Sequence, residues 1–479
     1  MRIRLLFFFL AFCVTIVFGQ NTDKKIYTLK ECVEIALQNN LSVKRSALSL
    51  KGADINLDQS RYSVLPTLNV TAGYGSNWGR SIDPTTNTFI DQRINSGNFS
   101  GNASLLLFNA FRVMNTIRQN VNDKAAAEND YTKAKNDVIL NVITLYTSVI
   151  FNQELFQNAQ FQLKTTEQQL ERTRKLEQAG SVPLGNVLDL EAQHATNELN
   201  LIQRENSFNL SLLQLKQAMQ LPASTPLDVE IPALSVEDQV LDQTTEQIYD
   251  IARQNLPEVK AAVFRTESAN FAFKAARGNL YPRLSLNGSI SSNYSSADVL
   301  PIGFVPDGKP NPGIGFANNN VADTVRSFIP SGRRTFQEKA FGNQLSDKIS
   351  TGVSVGLTIP ILNSFTARAN LQRSKVNRET AAINLTDVEN RLRQAIETAY
   401  NDATAATKTY NSSARAVKAR EEAFRMTKQR YDAGATNYVD YQVSENNLFA
   451  AKSDLVRAKY DLIFKKKVLD FYQGKPIDY

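Results

Sequence analysis

The apolar positions of this chain change period twice, and both changes mark the same event. From Phe99 the apolar and small residues alternate with polar ones: Phe99, Gly101, Ala103, Leu105 and Leu107 on one face, Ser100, Asn102 and Ser104 on the other. This predicts a β-strand with one apolar and one polar face. After Phe108-Asn109-Ala110 the period becomes helical. Tyr131, Val138 and Leu145 recur every seven positions, as do Val142, Val149 and Phe156, a coiled-coil-like spacing. No proline occurs between Pro84 and Pro183. A helix over 110–176 would be roughly 100 Å long at ~1.5 Å per residue, far beyond an ordinary globular helix.

The second change copies the first. Ile349, Thr351, Val353, Val355, Leu357, Ile359 and Ile361 alternate with Lys348, Ser350, Gly352, Ser354, Gly356 and Thr358. At Leu362-Asn363-Ser364-Phe365 the helical period takes over and runs to about Tyr431. Asn109, Phe111, Tyr146, Ala179, Gly180 and Pro222 each have an identical residue 254 positions on. The chain is an internal duplication of a unit made of a strand pair and very long helices.

Upstream the repeat continues at an offset of 216. Thr28-Leu29-Lys30-Glu31 is a capping box that opens a helix, and Thr244-Thr245-Glu246-Gln247 is its copy. Ala36–Lys44 and Ala252–Lys260 share five of nine residues. Both helices are expected to run on to Pro66 and Pro282, where strands begin. Leu68, Val70, Ala72, Tyr74 and Trp78 alternate with polar residues and glycine, as do Leu284, Leu286, Ile290 and Tyr294. The offset grows from 216 to 254 between the strands, so the second hairpin carries 38 more residues than the first. They fall in 295–347, rich in Pro, Gly and Asn, and are expected to form a long loop.

Each long helix breaks once, at Gln178-Ala179-Gly180-Ser181-Val182-Pro183 and at Asp432-Ala433-Gly434-Ala435-Thr436-Asn437. Glycine followed by small residues is how a helix stops and reverses. The expected organisation is a first repeat over 20–220 with strand pair 66–108, an inter-repeat segment over 221–243, and a second repeat over 244–473. The second repeat has its strand pair at 282–362, and a tail follows at 474–479.

Strands of this length and alternation suit a membrane β-barrel, and Tyr74, Trp78, Tyr281 and Tyr294 near their ends suit an interfacial aromatic belt. Four strands cannot close a barrel, and lipid does not tolerate an open edge. Closure therefore requires several copies. Two give eight strands and a filled interior; three give twelve and room for an aqueous lumen. The Asn, Ser, Thr and Gly of the polar face argue for water inside, and the helices continue the wall. The shape is that of a conduit.

Composition refines this picture. Met1-Arg2-Ile3-Arg4, then Leu5 to Phe18 and Gly19, reads as a signal peptide over 1–19. Its removal leaves Cys32 as the only cysteine, so no intramolecular disulfide is expected. No later stretch reaches eighteen consecutive apolar residues, so no transmembrane helix is expected. The formal charge of +7 is interspersed with acids along the helices, which fits a solvated surface and not nucleic-acid binding.

Taken together, the signal peptide, duplicated halves, two strand pairs, long helices and two Ala-Gly breaks resemble the TolC-type outer membrane efflux family across nearly the whole mature chain. The resemblance implies an α+β membrane protein and a homotrimer. Its twelve strands would form one outer-membrane β-barrel above a periplasmic α-barrel about 100 Å long, with a small equatorial region matching 221–243 and the C-terminal segment. It implies an exit duct of a tripartite efflux or secretion system, with a periplasmic adaptor and an inner-membrane transporter as partners, in contact with outer-membrane lipid. The helix breaks would be the periplasmic tip. Ala179, Gly180, Ser181, Ala433, Gly434 and Ala435 would then receive the adaptor. Asp440, its first-half equivalent Asn186, and Asp189, whose second-half equivalent is Val443, would line the pore aperture. Asn437 stands where some family tips carry a locking arginine.

Other chemistry is weakly signalled. Gly303–Pro310 departs from a phosphate loop at Pro310, where Ser or Thr should stand. His194, the single histidine, has no Cys or second His beside it and is expected at the surface. No catalytic, metal or cofactor site is expected. A surface receptor or adhesin using the 295–347 loop, and a secreted coiled-coil scaffold, are the alternatives. The first leaves the helix breaks unexplained and the second the two-faced strands.

Overall fold

The computed structural model describes residues 25–475 apart from 83–86, 88, 92, 232–242, 310, 312, 320 and 329. The expected signal peptide, most of the inter-repeat segment and the end of the tail lie outside the described residues. The first repeat consists of β1 (Lys25–Tyr27), α1 (Leu29–Asn39), α2 (Leu41–Tyr62), β2 (Thr67–Asn77), β3 (Arg80–Ile82), β4 (Phe89–Asp91), β5 (Ile94–Phe108), α3 (Arg112–Gln178), α4 (Leu184–Ala218) and β6 (Leu227–Val229). The second consists of α5 (Thr245–Asn255), α6 (Pro257–Gly278), β7 (Arg283–Ser295), β8 (Val299–Pro306), β9 (Gly313–Phe316), β10 (Thr324–Arg326), β11 (Gly332–Glu338), α7 (Phe341–Asp347), β12 (Ser350–Thr358), α8 (Thr366–Asp432) and α9 (Tyr438–Tyr472). Helices α3 and α8 are each 67 residues long, and α4 and α9 are each 35. Their ends coincide with the 254-residue repeat.

Both capping boxes form. Thr28 Oγ1 accepts from Glu31 N at 3.2 Å while Glu31 Oε2 accepts from Thr28 N at 2.9 Å. Thr244 and Gln247 repeat the exchange. The helices they open do not run unbroken to Pro66 and Pro282. Asn40 and Leu256 have extended backbone at ψ 129° and 133° and separate α1 from α2 and α5 from α6. Asn40 Oδ1 accepts from Ser42 N at 2.8 Å, which caps the next helix. Pro257 occupies the equivalent first helical position, where its missing N–H costs nothing.

The chain divides into two compact units. One contains residues up to Asp54, Asn122–Thr266 and those from Thr380 on. Its two main cores are repeats of each other. Cys32, Ala36, Val43, Val138, Val142 and Leu215 are buried in one, and Ile248, Ala252, Val259, Leu392, Ile396 and Leu469 in the other. The heptad residues expected to pack are the ones that do. Parallel strands β1 and β6 pair beside the first core, where Tyr146 Oη lies 2.7 Å from the Glu230 carbonyl. Burial pushes the Cys32 thiol up to about 12, so it behaves as a small apolar group and not as a nucleophile.

Helix α3 is long and apolar enough to cross a membrane, contrary to the expectation from unbroken apolar runs. Its apolarity has another use, because Val138, Val142, Ile143, Val149 and Ile150 are all buried in the protein.

The other unit, Ile55–Val121 and Glu267–Glu379, holds a four-stranded antiparallel sheet in the order β12-β7-β5-β2. The strands alternate as their sequences predict, with one exception. The register shifts between Leu106 and Phe108, so Phe108 and not Leu107 faces Leu284. This bulge sits where strand gives way to helix, and it re-aims the chain. Just beyond it Ala110 and Phe111 both have positive φ, 52° and 59°, and Ser364 and Phe365 repeat this at 51° and 65°.

Segment 295–347 is not the structureless loop expected from its composition. Hairpins β8/β11 and β9/β10 and helix α7 account for most of it. The first half of the phosphate-loop look-alike lies in β8, with Gly303 through Pro306 paired to β11.

Candidate functional site

The sheet separates its side chains by chemistry. Cross-strand register puts Val353, Gly288, Ala103 and Leu68 in one row, and Thr351, Ile290, Gly101 and Val70 in the next on the same face. The opposite face carries Ser354, Asn287 and Ser104, then Gly352, Ser289 and Asn102. Val353, Val70 and Leu68 are 82, 79 and 72% exposed, so no described residue covers this part of the apolar face. A two-faced sheet of this kind, apolar to one side and hydroxyl- and amide-rich to the other, suits lipid on the first side and water on the second. Among the described residues, strands β2 and β12 have no neighbour on their outer sides.

The helix breaks are two copies of one motif. Gly180 N–H donates to the Glu177 carbonyl at 2.8 Å and Ser181 N–H to the Leu176 carbonyl at 2.8 Å. Gly434 and Ala435 make the same pair of bonds to Tyr431 and Arg430 at 3.0 and 2.8 Å. Gly180 and Gly434 have φ of 72° and 70°, the left-handed geometry that closes a Schellman motif. Ala179, Gly180, Ser181, Ala433, Gly434 and Ala435 are all exposed, so each turn presents a small, smooth surface.

The helices that follow start differently. Asn437 Oδ1 accepts from Asp440 N at 2.8 Å, and Thr436 Oγ1 donates to Asp440 Oδ2 at 2.8 Å. Asn437, which replaces the arginine implied by the resemblance, is therefore the N-cap of α9. In the first half Pro183 takes that place with no side-chain cap. Asp440 and Asn186 occupy equivalent positions in the first turns of α9 and α4, and Asp189 follows one turn later. Asp440 and Asp189 are exposed, and Asn186 is half-buried. His194, expected at the surface, is half-buried on α4.

Behind these turns lies an aromatic core that the sequence reading did not single out. Tyr438 and Tyr441 are buried with Leu170, Val187 and Leu190. Tyr431 lies 5.0 Å from the Tyr441 ring and Phe424 lies 5.5 Å from it. Tyr438 and Tyr441, three apart, share one face of α9, and Tyr431 at the end of α8 meets both across the reversal. Burial raises the Tyr438 and Tyr441 hydroxyls above their ordinary range, and the Glu445 carboxylate adds to this. Burial also raises Glu445, partly opposed by a hydrogen bond from Tyr441. A polar chain then crosses the helices. Gln442 donates to Gln193 at 2.5 Å, Gln193 to Asn197 at 2.9 Å and Asn197 to Thr166 at 2.8 Å. Among the described residues no group of three or more His, Cys, Asp or Glu could hold a metal.

Comparison with known proteins gives this arrangement its context. The family described as outer membrane efflux protein matches residues 32–219 and 248–473. The outer membrane protein TolC of Escherichia coli K12 is 22% identical over 457 residues, 94% of this chain and 82% of TolC. The outer membrane efflux protein BepC of Brucella suis biovar 1 is 21% identical over 440 residues, 91% of this chain and 83% of BepC. The solved outer membrane protein VceC of Vibrio cholerae superposes with a TM-score of 0.72 at 16% identity, covering 94% of this chain and 97% of that one. The family match spans both repeats and leaves the surface-receptor alternative without support. With a sheet built to face lipid and helices long enough to leave the bilayer behind, the chain belongs to the outer membrane efflux protein family, the transport ducts that stand in the outer membrane and extend into the periplasm.

Proposed function

We propose that three copies of this chain assemble into one duct, and that a periplasmic adaptor delivers it the output of an inner-membrane pump. The observation that carries the assembly is the pair of bare sheet edges, β2 and β12. Left open in hydrocarbon, each unpaired N–H and C=O would cost several kcal/mol. Pairing β12 of one copy with β2 of the next removes every edge, and a third copy closes twelve strands around the Ser-, Asn- and Gly-rich face.

The exposed Ala-Gly turns are the docking site for the adaptor's helical tips. Three copies of Asp440, joined by Asn186 and Asp189, line the aperture through which substrates enter. Small side chains at the turns support the first assignment, because helical tips can approach them closely. The exposed, capped position of Asp440 supports the second. The test of assembly is native mass spectrometry and planar-bilayer conductance of protein extracted in mild detergent. A trimer with a steady ohmic conductance is expected. A soluble, monodisperse monomer would overturn the reading.

A further inference from the structure

The hairpin lobe between β7 and β12 is fastened to one particular face of the sheet. Phe341, the first residue of α7, packs against Phe99 with ring centroids 5.9 Å apart and against Tyr294 at 5.2 Å. Tyr294 in turn stacks on Tyr74 at 6.2 Å. Ser292 Oγ donates to the Leu345 carbonyl at 2.8 Å. Register decides which face this is. Phe99 pairs with Ser292 and Ala72, and Tyr74 and Tyr294 both pair with Gly97. These residues continue the rows of Ile290, Val70 and Val353, the apolar face. Helix α7 thus lies at the top of the surface that meets lipid, not on the polar face that meets the lumen.

The attachment is rigid. Strand β12 ends at Ser350, opposite Ser291, which leaves the last residues of β7 without a partner strand on that side. Gln344 takes that place. Its fully buried amide accepts from Ser295 N at 3.0 Å and donates to the Ser295 carbonyl at 3.0 Å and the Lys339 carbonyl at 2.9 Å. Lys348 Nζ reaches Gln344 Oε1 at 2.9 Å and Asp298 at 2.8 Å. From Leu284 to Ser292, β7 advances eight residues, ~27 Å at ~3.4 Å each, or ~20 Å of height for a strand tilted by ~40°, which leaves the upper part of a ~25 Å apolar band to the level of α7 and the lobe. Above it α7 exposes Asn343, Ser346 and Asp347.

Beyond that anchor the lobe is thin, and exposed apolar residues stand beside the exposed charges of Lys309, Arg326, Arg333 and Arg334. Ile302, Ile314, Phe316, Val321 and Phe336 are more than half exposed and Phe328 is fully so. Two hairpins with no core of their own need a neighbour to cover such residues. We propose that this neighbour is the outer-leaflet lipid, and that the lobe is a collar on the outside of the barrel wall and not a lid over its lumen. The inference extends the outer-membrane duct reading, and the supporting observation is continuity: α7 joins the lobe to the lipid-facing band.

Two measurements test it. In the first, Trp78→Phe removes the only tryptophan, and Phe328→Trp, Phe336→Trp or Val353→Trp is added one at a time. Each protein is reconstituted into phosphatidylcholine vesicles with brominated acyl chains. Quenching of both lobe tryptophans is expected, as for Val353→Trp in the band. Lobe tryptophans that stay bright while Val353→Trp is quenched would overturn the collar alone. An unquenched Val353→Trp would remove the membrane band and the collar with it. In the second, residues 300–337 are replaced by Asn-Gly. Val299 and Glu338 are cross-strand partners, so the cut closes on a natural turn and leaves α7 in place. Unchanged single-channel conductance is expected; a severalfold rise would show that the lobe covers the lumen.

Discussion

Two substitutions one residue apart separate what the helix break does for folding from what it does for docking. Gly434 has φ +70° and nothing within 4 Å of the position a Cβ would take. Gly434→Ala therefore meets no clash, and its cost is backbone strain alone, ~1–2 kcal/mol for an L-residue in the left-handed region. The stiffer unfolded chain offsets ~0.4–1 kcal/mol of that. A net loss of about 1 kcal/mol should lower the melting temperature by ~1–2 °C in a chain of this length. Ala435→Trp is the opposite perturbation. Ala435 is exposed and its backbone is unstrained, so stability should change by less than ~0.5 kcal/mol. It adds an indole to a surface otherwise made of Ala and Gly, and a close-fitting helical tip has no room for it.

The assay is retention of a fluorescent efflux substrate by cells in which each variant is the sole outer-membrane duct, at matched protein levels. Adaptor co-purification provides the direct readout. The less stable Gly434→Ala should export, and the stable Ala435→Trp should not. If export follows melting temperature across the pair, the break is only a turn. If Ala435→Trp exports normally, the adaptor binds elsewhere.

The remaining predictions concern single side chains. Asp440→Asn keeps an oxygen for Thr436 and leaves the Asn437 cap intact, so the trimer should form while cation selectivity in planar bilayers falls, most clearly at low salt; unchanged selectivity would move Asp440 off the aperture. Glu445 has its carboxyl raised by burial, so the folded state binds its proton more tightly than the unfolded chain does, and stability falls as pH rises past the ordinary glutamate range. Glu445→Gln, which still accepts from Tyr441, should therefore raise the melting temperature at pH 7 and leave it unchanged near pH 4; equal shifts at both would assign the effect to packing. Gln344→Ala removes the bonds to Ser295 N, the Ser295 carbonyl and the Lys339 carbonyl, at ~1–3 kcal/mol, so limited proteolysis should release the lobe while the barrel survives; a lobe as resistant as in the parent would remove Gln344 as its anchor.

The repeat made the fold legible. Offsets of 216 and 254 relate α5, α6, α8 and α9 to α1, α2, α3 and α4 residue for residue, because one packing solution is used twice and both copies must satisfy it. The strands were legible because a sheet between lipid and water leaves a period-two trace. What escaped was decided by single atoms. The kink at Asn40 depends on one side-chain oxygen, and the bulge at Leu107 shifts a strand end by one residue. The lobe escaped for a different reason: its Pro, Gly and Asn content is common to loops and to short exposed hairpins, and Gln344 reads as a surface residue until its four partners are seen. At the helix breaks Gly180 and Gly434 were readable. Their aromatic backing was not, because Tyr431 on α8 meets Tyr438 and Tyr441 on α9 only once the chain reverses between them.

The duplication also shows where the two halves have been released from each other. Both breaks keep the Schellman glycine, because each reversal needs one positive φ whatever it contacts. The residues after it diverge: Pro183 with Asn186 in one half, Asn437 with Asp440 in the other, so only one of the paired first turns carries a capped carboxylate. A requirement of folding would act equally on both copies, since α4 and α9 have the same length and start at the same repeat position. A requirement imposed from outside, by an adaptor or a permeating ion, need not. In a trimer the tip would therefore alternate between two kinds of turn, six in all with threefold and not sixfold chemistry. The same argument applies to the lobe, where the 38 extra residues of the second hairpin have no counterpart in the first. Symmetry is kept where the chain packs on itself and lost at the tip and the lobe, the two places where it is proposed to meet something else.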